Sequence, residues 1–140
     1  MASNFEYLVS VFGNKSRALE ILLVMLKVKP TVRILVSELE LPKIKVFCQK
    51  NRLHFEQSSF KVIVEKDTIR SGYSNKGVRV PMVHPSKGDL FVYISKTFEN
   101  VRWAMHFENE NNHSKLGQLL GYPDCCINFF MDNFDMQKKQ

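Results

Sequence analysis

No apolar stretch in this chain is long enough to cross a bilayer. The most hydrophobic run, residues 21–28, is broken by Lys27 and is far shorter than the ~20 residues a spanning helix needs. The opening MASNFEY has no basic segment leading into an apolar core, so no secretory leader is expected. Cysteine is scarce, with only Cys48, Cys125 and Cys126. An odd number with two adjacent members makes no disulfide framework, and a bridge between neighbours is strained and does not fit a regular helix. Free thiols in a reducing, cytoplasmic setting are the expectation. Glycines never fall in GxxxxGK or GxGxxG order, so the two common phosphate-binding fingerprints are missing. Neither CxxC nor HxxxH occurs, and Cys125 or Cys126 with His84, His106 or His113 is a poor zinc or iron–sulfur spacing. No metal and no cofactor is therefore expected. There is no run of five like charges and no internal repeat, which argues against a disordered basic arm.

What is present suits one compact domain. The 140 residues, 44% of them hydrophobic, can bury a sizeable core without staples. The expected domain spans residues 1–135, with 136–140 as a frayed tail. The net charge of +6 is uneven, with 15 Lys and Arg against 8 Asp and Glu in residues 1–90, and 5 against 6 in residues 91–140. A basic first part suggests a polyanion-binding face, and a solvated surface spread over all sides is the plainer reading.

Periodicity then assigns elements. Phe5, Leu8, Val9 and Phe12 mark a helix over 4–12, with Ser3 as a cap and Gly13 ending it. A second helix runs from Ser16, its cap, to Lys29 before Pro30. It is apolar on most sides, which implies deep burial or a shared face in a homodimer. Pro42 opens a third, with Ile44, Phe47 and Cys48 inward and Lys43, Lys45, Lys50 and Arg52 as its charged positions. Residues 32–36, 60–65 and 90–94 read as strands of one small sheet, giving an α/β (or α+β) domain with flanking helices. Thr97 caps a helix with Phe98, Val101 and Met105 as its buried stripe. A short helix over 114–120 leads to a last one opened by Pro123. Residues 66–89, punctuated by Gly72, Asn75, Gly77, Pro81, Pro85 and Gly88, read as a long functional loop.

The most chemically loaded stretch is LGQLLGYPDCCINFF, residues 116–130. Gly121 suits a helix end, and proline at the first helical position costs nothing because its missing N–H has no partner there anyway. Asp124, Cys125 and Cys126 then fall in a first turn, where the helix dipole favours thiolate and the neighbouring carboxylate opposes it. Successive residues point about 100° apart on a helix, so one thiol is expected to pack and the other to be presented. Cys126 shares a face with Phe130 and Phe134, and Cys125 is the expected presented thiol. Packing of both is the plain alternative, because free cysteine is among the most buried residue types.

SNKGVRVP (residues 74–81), LFVYISK (90–96) and LGQLLGYPDCCINFF together resemble a small, mainly archaeal family of uncharacterised proteins. That family is marked by a Gly-Tyr-Pro-x-Cys-Cys core near its C-terminus. The resemblance implies a shared fold and a shared cysteine site, carried by Asn75, Lys76, Gly77, Arg79, Gly121, Tyr122, Pro123, Cys125 and Cys126. The resulting expectation is a thiol-dependent small enzyme at the meeting of the 121–126 turn and the 72–88 loop. Cys125 or Cys126 is the nucleophile and His113 or His84 the base. Lys76, Gly77 and Arg79, with Tyr122, hold an anionic substrate such as a nucleotide or phosphorylated metabolite. The alternative is a binding module for nucleic acid or protein, in which both cysteines are packing residues.

Overall fold

LFVYIS is the most thoroughly buried strand among the described residues, and alternation along it explains the layering. In the computed structural model, which describes residues 3–65 and 76–133, it forms β5 (Leu90–Ser95). It lies between β1 (Thr31–Val36) and β2 (His54–Gln57), antiparallel to both. Val32, Ile34, Val36, Val92 and Ile94 point to one face, since strand side chains alternate. There they meet α1 (Ser3–Phe12), α2 (Lys15–Met25) and α3 (Leu41–Lys50) through Leu8, Phe12, Ile21, Val24, Ile44 and Phe47. The opposite face presents Tyr93 to α4 (Phe98–Asn109) and α5 (His113–Leu119), in a smaller core with Val101, Ala104, Leu116 and Leu120. The expected α/β domain with helices flanking a small sheet is what the chain forms.

The three expected strands are present, but they do not share one ladder. Phe60–Glu65 (β3) pairs antiparallel with Lys76–Pro81 (β4) as a separate two-stranded ribbon. A single bridge between Val62 and Asp89, with N···O distances of 2.7 and 2.8 Å, ties this ribbon to the approach of β5. Residues 76–81 are thus strand where a loop was expected. Gly77 and Pro81 obscure the Val78–Val80 alternation, and Pro81 is tolerated because it ends its strand. Lys61 is buried between ribbon and loop, and its Nζ donates to the carbonyls of His84 (2.6 Å) and Ser86 (2.9 Å). Arg70, Gly72, Tyr73 and Asn75 of the expected loop, and the expected tail 136–140, lie outside the described residues.

Helix ends differ from expectation for a common reason. Asn14, not Ser16, caps α2, its side-chain oxygen accepting from the Arg17 N–H at 2.8 Å. That helix stops at Met25 rather than Lys29, because Lys27 takes a left-handed conformation (φ 62°). The Lys27 and Val28 N–H groups then close on the carbonyls of Val24 and Leu23, the doubly bonded ending usually built on glycine. Asn111 (φ 57°) ends α4 in the same way, and Arg52 (φ 56°) ends α3 with the Leu53 N–H on the Cys48 carbonyl. On α2 only Ala18, Ile21 and Val24 are buried, whereas Leu19, and Leu26 and Val28 just beyond the helix end, are exposed. Among the described residues no helix is long and apolar enough to cross a membrane.

Thr97 caps α4 as expected, but the buried stripe is Val101, Ala104 and Glu108, with Phe98 exposed. A carboxylate at a core position turns the helix by one residue from the apolar reading. Its partners explain why.

Candidate active site

The GYP corner is set by hydrogen-bond closure at the end of α5. The Gly121 N–H donates to the Gln118 carbonyl and the Tyr122 N–H to the Gly117 carbonyl, both at 3.0 Å. This ending needs a left-handed residue after the cap, and Gly121 supplies φ +79°. A methyl group there would also sit 3.2 Å from Pro30 Cδ, so the corner rests against the α2–β1 turn. Pro123 stands one place earlier than expected, as the residue before α6 (Asp124–Asn133). Its carbonyl accepts from the Cys126 (3.0 Å) and Ile127 (3.1 Å) N–H groups, so Asp124, Cys125 and Cys126 do make up the first turn.

Gly117 lets this last helix close down. A methyl group on it would lie 2.9 Å from Ile127 Cγ1 and 3.2 Å from Cδ1, and Ile127 is buried. Beside that contact lies a cleft of about 390 Å³. Leu116, Leu120 and Ile127 give it apolar walls, and Arg33, His113, Tyr122 and Cys126 also line it. The expectation that one thiol packs is not met: Cys125 and Cys126 are both exposed, and only Cys48 is buried. Burial pushes the Cys48 thiol up to about 12, leaving it inert. Exposure likewise removes the packing role from the adjacent pair. Cys126, rather than Cys125, is the thiol that lines the cleft. Its pKa is raised, chiefly by a hydrogen bond and then by charge interaction with the Cys125 thiol.

Arg33 reaches the cleft from an apolar strand because the register provides a counter-ion. It sits directly opposite Tyr93 on the face covered by α4. Glu108, only 1% exposed, receives there the Arg33 Nη1 (2.7 Å) and the Tyr93 hydroxyl (2.9 Å) on one carboxylate oxygen. Arg79 Nη2 donates to the other oxygen at 2.9 Å, and its Nη1 reaches the Glu108 carbonyl and Asn111 Oδ1. Each guanidinium also stacks on a ring, Arg33 on Phe91 (4.6 Å) and Arg79 on Phe60 (4.5 Å). Burial drives the Glu108 pKa up, but the two guanidinium groups and the Tyr93 hydroxyl prevail and hold it below the ordinary carboxylate range. Burial first, then the Glu108 charge and hydrogen bond, raise the Tyr93 phenol. The Tyr122 phenol is raised too, chiefly by burial, and Lys29 Nζ lies 5.2 Å from its ring.

Of the residues singled out from sequence, the fold brings His113, Tyr122 and Cys126 to one cleft. Arg79 is turned to the end of α4 and is linked to Arg33 through Glu108. Cys125 lies beside the cleft rather than in its lining. His84 is held elsewhere, in the loop before β5, where its Nδ1 accepts from the Ser86 N–H at 3.1 Å. Lys76 and Gly77 open β4 opposite Glu65 and Val64, and the Lys76 side chain lies outside what is described. Sequence reasoning missed Arg33, Tyr93 and Glu108. The available signal was a pair of charges at core positions, Arg33 within VRILV and Glu108 seven residues after Val101, since buried charges are paired ones. Comparison with protein-family models, curated proteins and solved structures finds no match to this chain.

Proposed function

We propose that the chain is a small thiol-dependent enzyme acting on an anionic substrate in the cleft between α5 and α6. Cys126 is its nucleophile, His113 the base that takes the thiol proton, and Arg33 the anchor for the substrate's negative charge. One observation carries this reading: a thiol, an imidazole and a carboxylate-braced guanidinium line the same cleft. A thiol whose proton is held tightly at rest needs a base at the moment of attack, and an imidazole is suited to that near neutral pH. Cys125 tunes its neighbour, and Tyr122 forms part of the cleft wall. The resemblance of the GYPDCC core to the archaeal family agrees with a cysteine site at this corner.

Site-resolved alkylation by iodoacetamide at pH 7.5 tests the assignment. Cys125→Ala removes the group that raises the Cys126 pKa, so Cys126 is expected to react faster in that variant. His113→Gln is expected to slow it. An unchanged Cys126 rate in both variants would sink the assignment.

A further inference from the structure

The charge balance around the cleft specifies more than an anion. Resting on the reading of this cleft as the site, we infer that its ligand is a small monocarboxylate with an apolar body. The carboxylate sits on Arg33, and the body lies along Leu116, Leu120 and Ile127. Neither a nucleotide nor a multiply charged phosphate fits this arrangement.

Arg33, Arg79 and the Glu108 carboxylate that joins them carry one net positive charge. A single negative charge brings that group to neutrality. A phosphate dianion leaves an excess charge against apolar walls, where an uncompensated ion is costly. Lys29, above the Tyr122 ring, is paired with Glu20 at 3.5 Å, so this cation adds no net charge. The anchor is also fixed in place. Glu108 takes Arg33 Nη1 and the Phe91 ring takes its face, so the guanidinium is oriented before ligand arrives. Its side chain remains 26% exposed although its counter-ion is buried. A planar guanidinium pairs with a carboxylate through two parallel hydrogen bonds, so a carboxylate head suits this anchor, and the charge balance is what separates it from phosphate. The cleft volume of about 390 Å³ falls in the lower part of the range for small-molecule sites, enough for one ring or a short chain besides the head group.

The test uses the whole protein and 4-phenylbutanoate as the probe, followed by amide chemical shifts and calorimetry. Binding is expected to shift the His113, Gly117, Tyr122 and Cys126 amides. The neutral 4-phenylbutanamide is expected to bind about tenfold more weakly or worse, through loss of a charge-assisted pair. Arg33→Met is expected to show the same loss for the carboxylate, and the amide comparison keeps the test intact if that variant fails to fold. Amide shifts and heats of binding are read on the unaltered protein with its thiols unreacted, and they involve no alkylation step. Binding therefore stands or falls separately from thiol reactivity. Equal affinity for acid and amide, tighter binding of inorganic phosphate or adenosine monophosphate, or shifts confined to other parts of the protein would overturn the inference.

Discussion

Glu108→Ala is expected to lower the unfolding free energy by about 3 kcal/mol. Removing one partner of a buried ion pair typically costs 3–5 kcal/mol. Here the remaining arginine side chains are 26% and 38% exposed, so water relieves part of the loss and the lower end applies. The buried Tyr93 hydroxyl also loses its acceptor, which adds to the penalty. Against a usual total of 5–15 kcal/mol, this is a large fraction. Glu108→Gln preserves shape and leaves an acceptor for Tyr93, so a smaller loss is expected. The two variants also separate charge from packing through pH. With its pKa held below the ordinary range, Glu108 contributes in full above its unfolded-state value of about 4.3. Its contribution fades as pH falls through the lower native pKa. Urea unfolding between pH 6 and pH 2.5 is therefore expected to show a steeper acid loss in the unaltered protein than in Glu108→Gln. Parallel curves would mean that the carboxylate does not carry the charge assigned to it.

Gly117→Val is expected to destabilise by about 2 kcal/mol and to disturb the cleft. Even a methyl group at this position meets Ile127 Cγ1 at 2.9 Å, and Ile127 is buried, so α6 or the isoleucine must move. Inserting bulk into a packed contact costs about 1–3 kcal/mol. Valine is somewhat better than glycine within a helix, which offsets a few tenths of that. Because α6 carries Cys126, the same shift is expected to change the thiol's alkylation rate as well as the melting temperature. A variant with normal stability and an unchanged rate at Cys126 would show that the α5–α6 contact does not position the site.

The parts of the fold written as local periodicity were readable directly. The apolar strands over 32–36, 60–65 and 90–94, the inward Ile44, Phe47 and Cys48 of α3, and Thr97 as a cap each depend on a few neighbouring residues. What escaped depends on distant partners or on an energetically uncommon backbone. Lys27, Arg52 and Asn111 hold left-handed conformations that composition assigns to glycine, so the end of α2 was misplaced. Glu108 occupies an apolar position only because Arg33, Arg79 and Tyr93, on β1, β4 and β5, converge on it. At the candidate site, the GYPDCC string was enough to locate a corner and a helix start. Which thiol faces the cleft was not readable, because helical geometry separates Cys125 from Cys126 without saying which side α5 covers. The contact of Gly117 with Ile127 decides that, leaving Cys126 on the cleft side.

The central claim is that Cys126 shares its cleft with a fixed positive charge, and the charge preference of its alkylation tests this most directly. Iodoacetate and iodoacetamide differ by one negative charge at nearly equal size. The rate ratio of acid to amide, measured separately at each thiol, therefore reports the local field. At Cys126 the ratio is expected to exceed that of Cys125 and of glutathione, and to fall to theirs in Arg33→Met or at high salt. A ratio at Cys126 equal to or below that of glutathione would contradict the assignment of this cleft as an anion-holding thiol site.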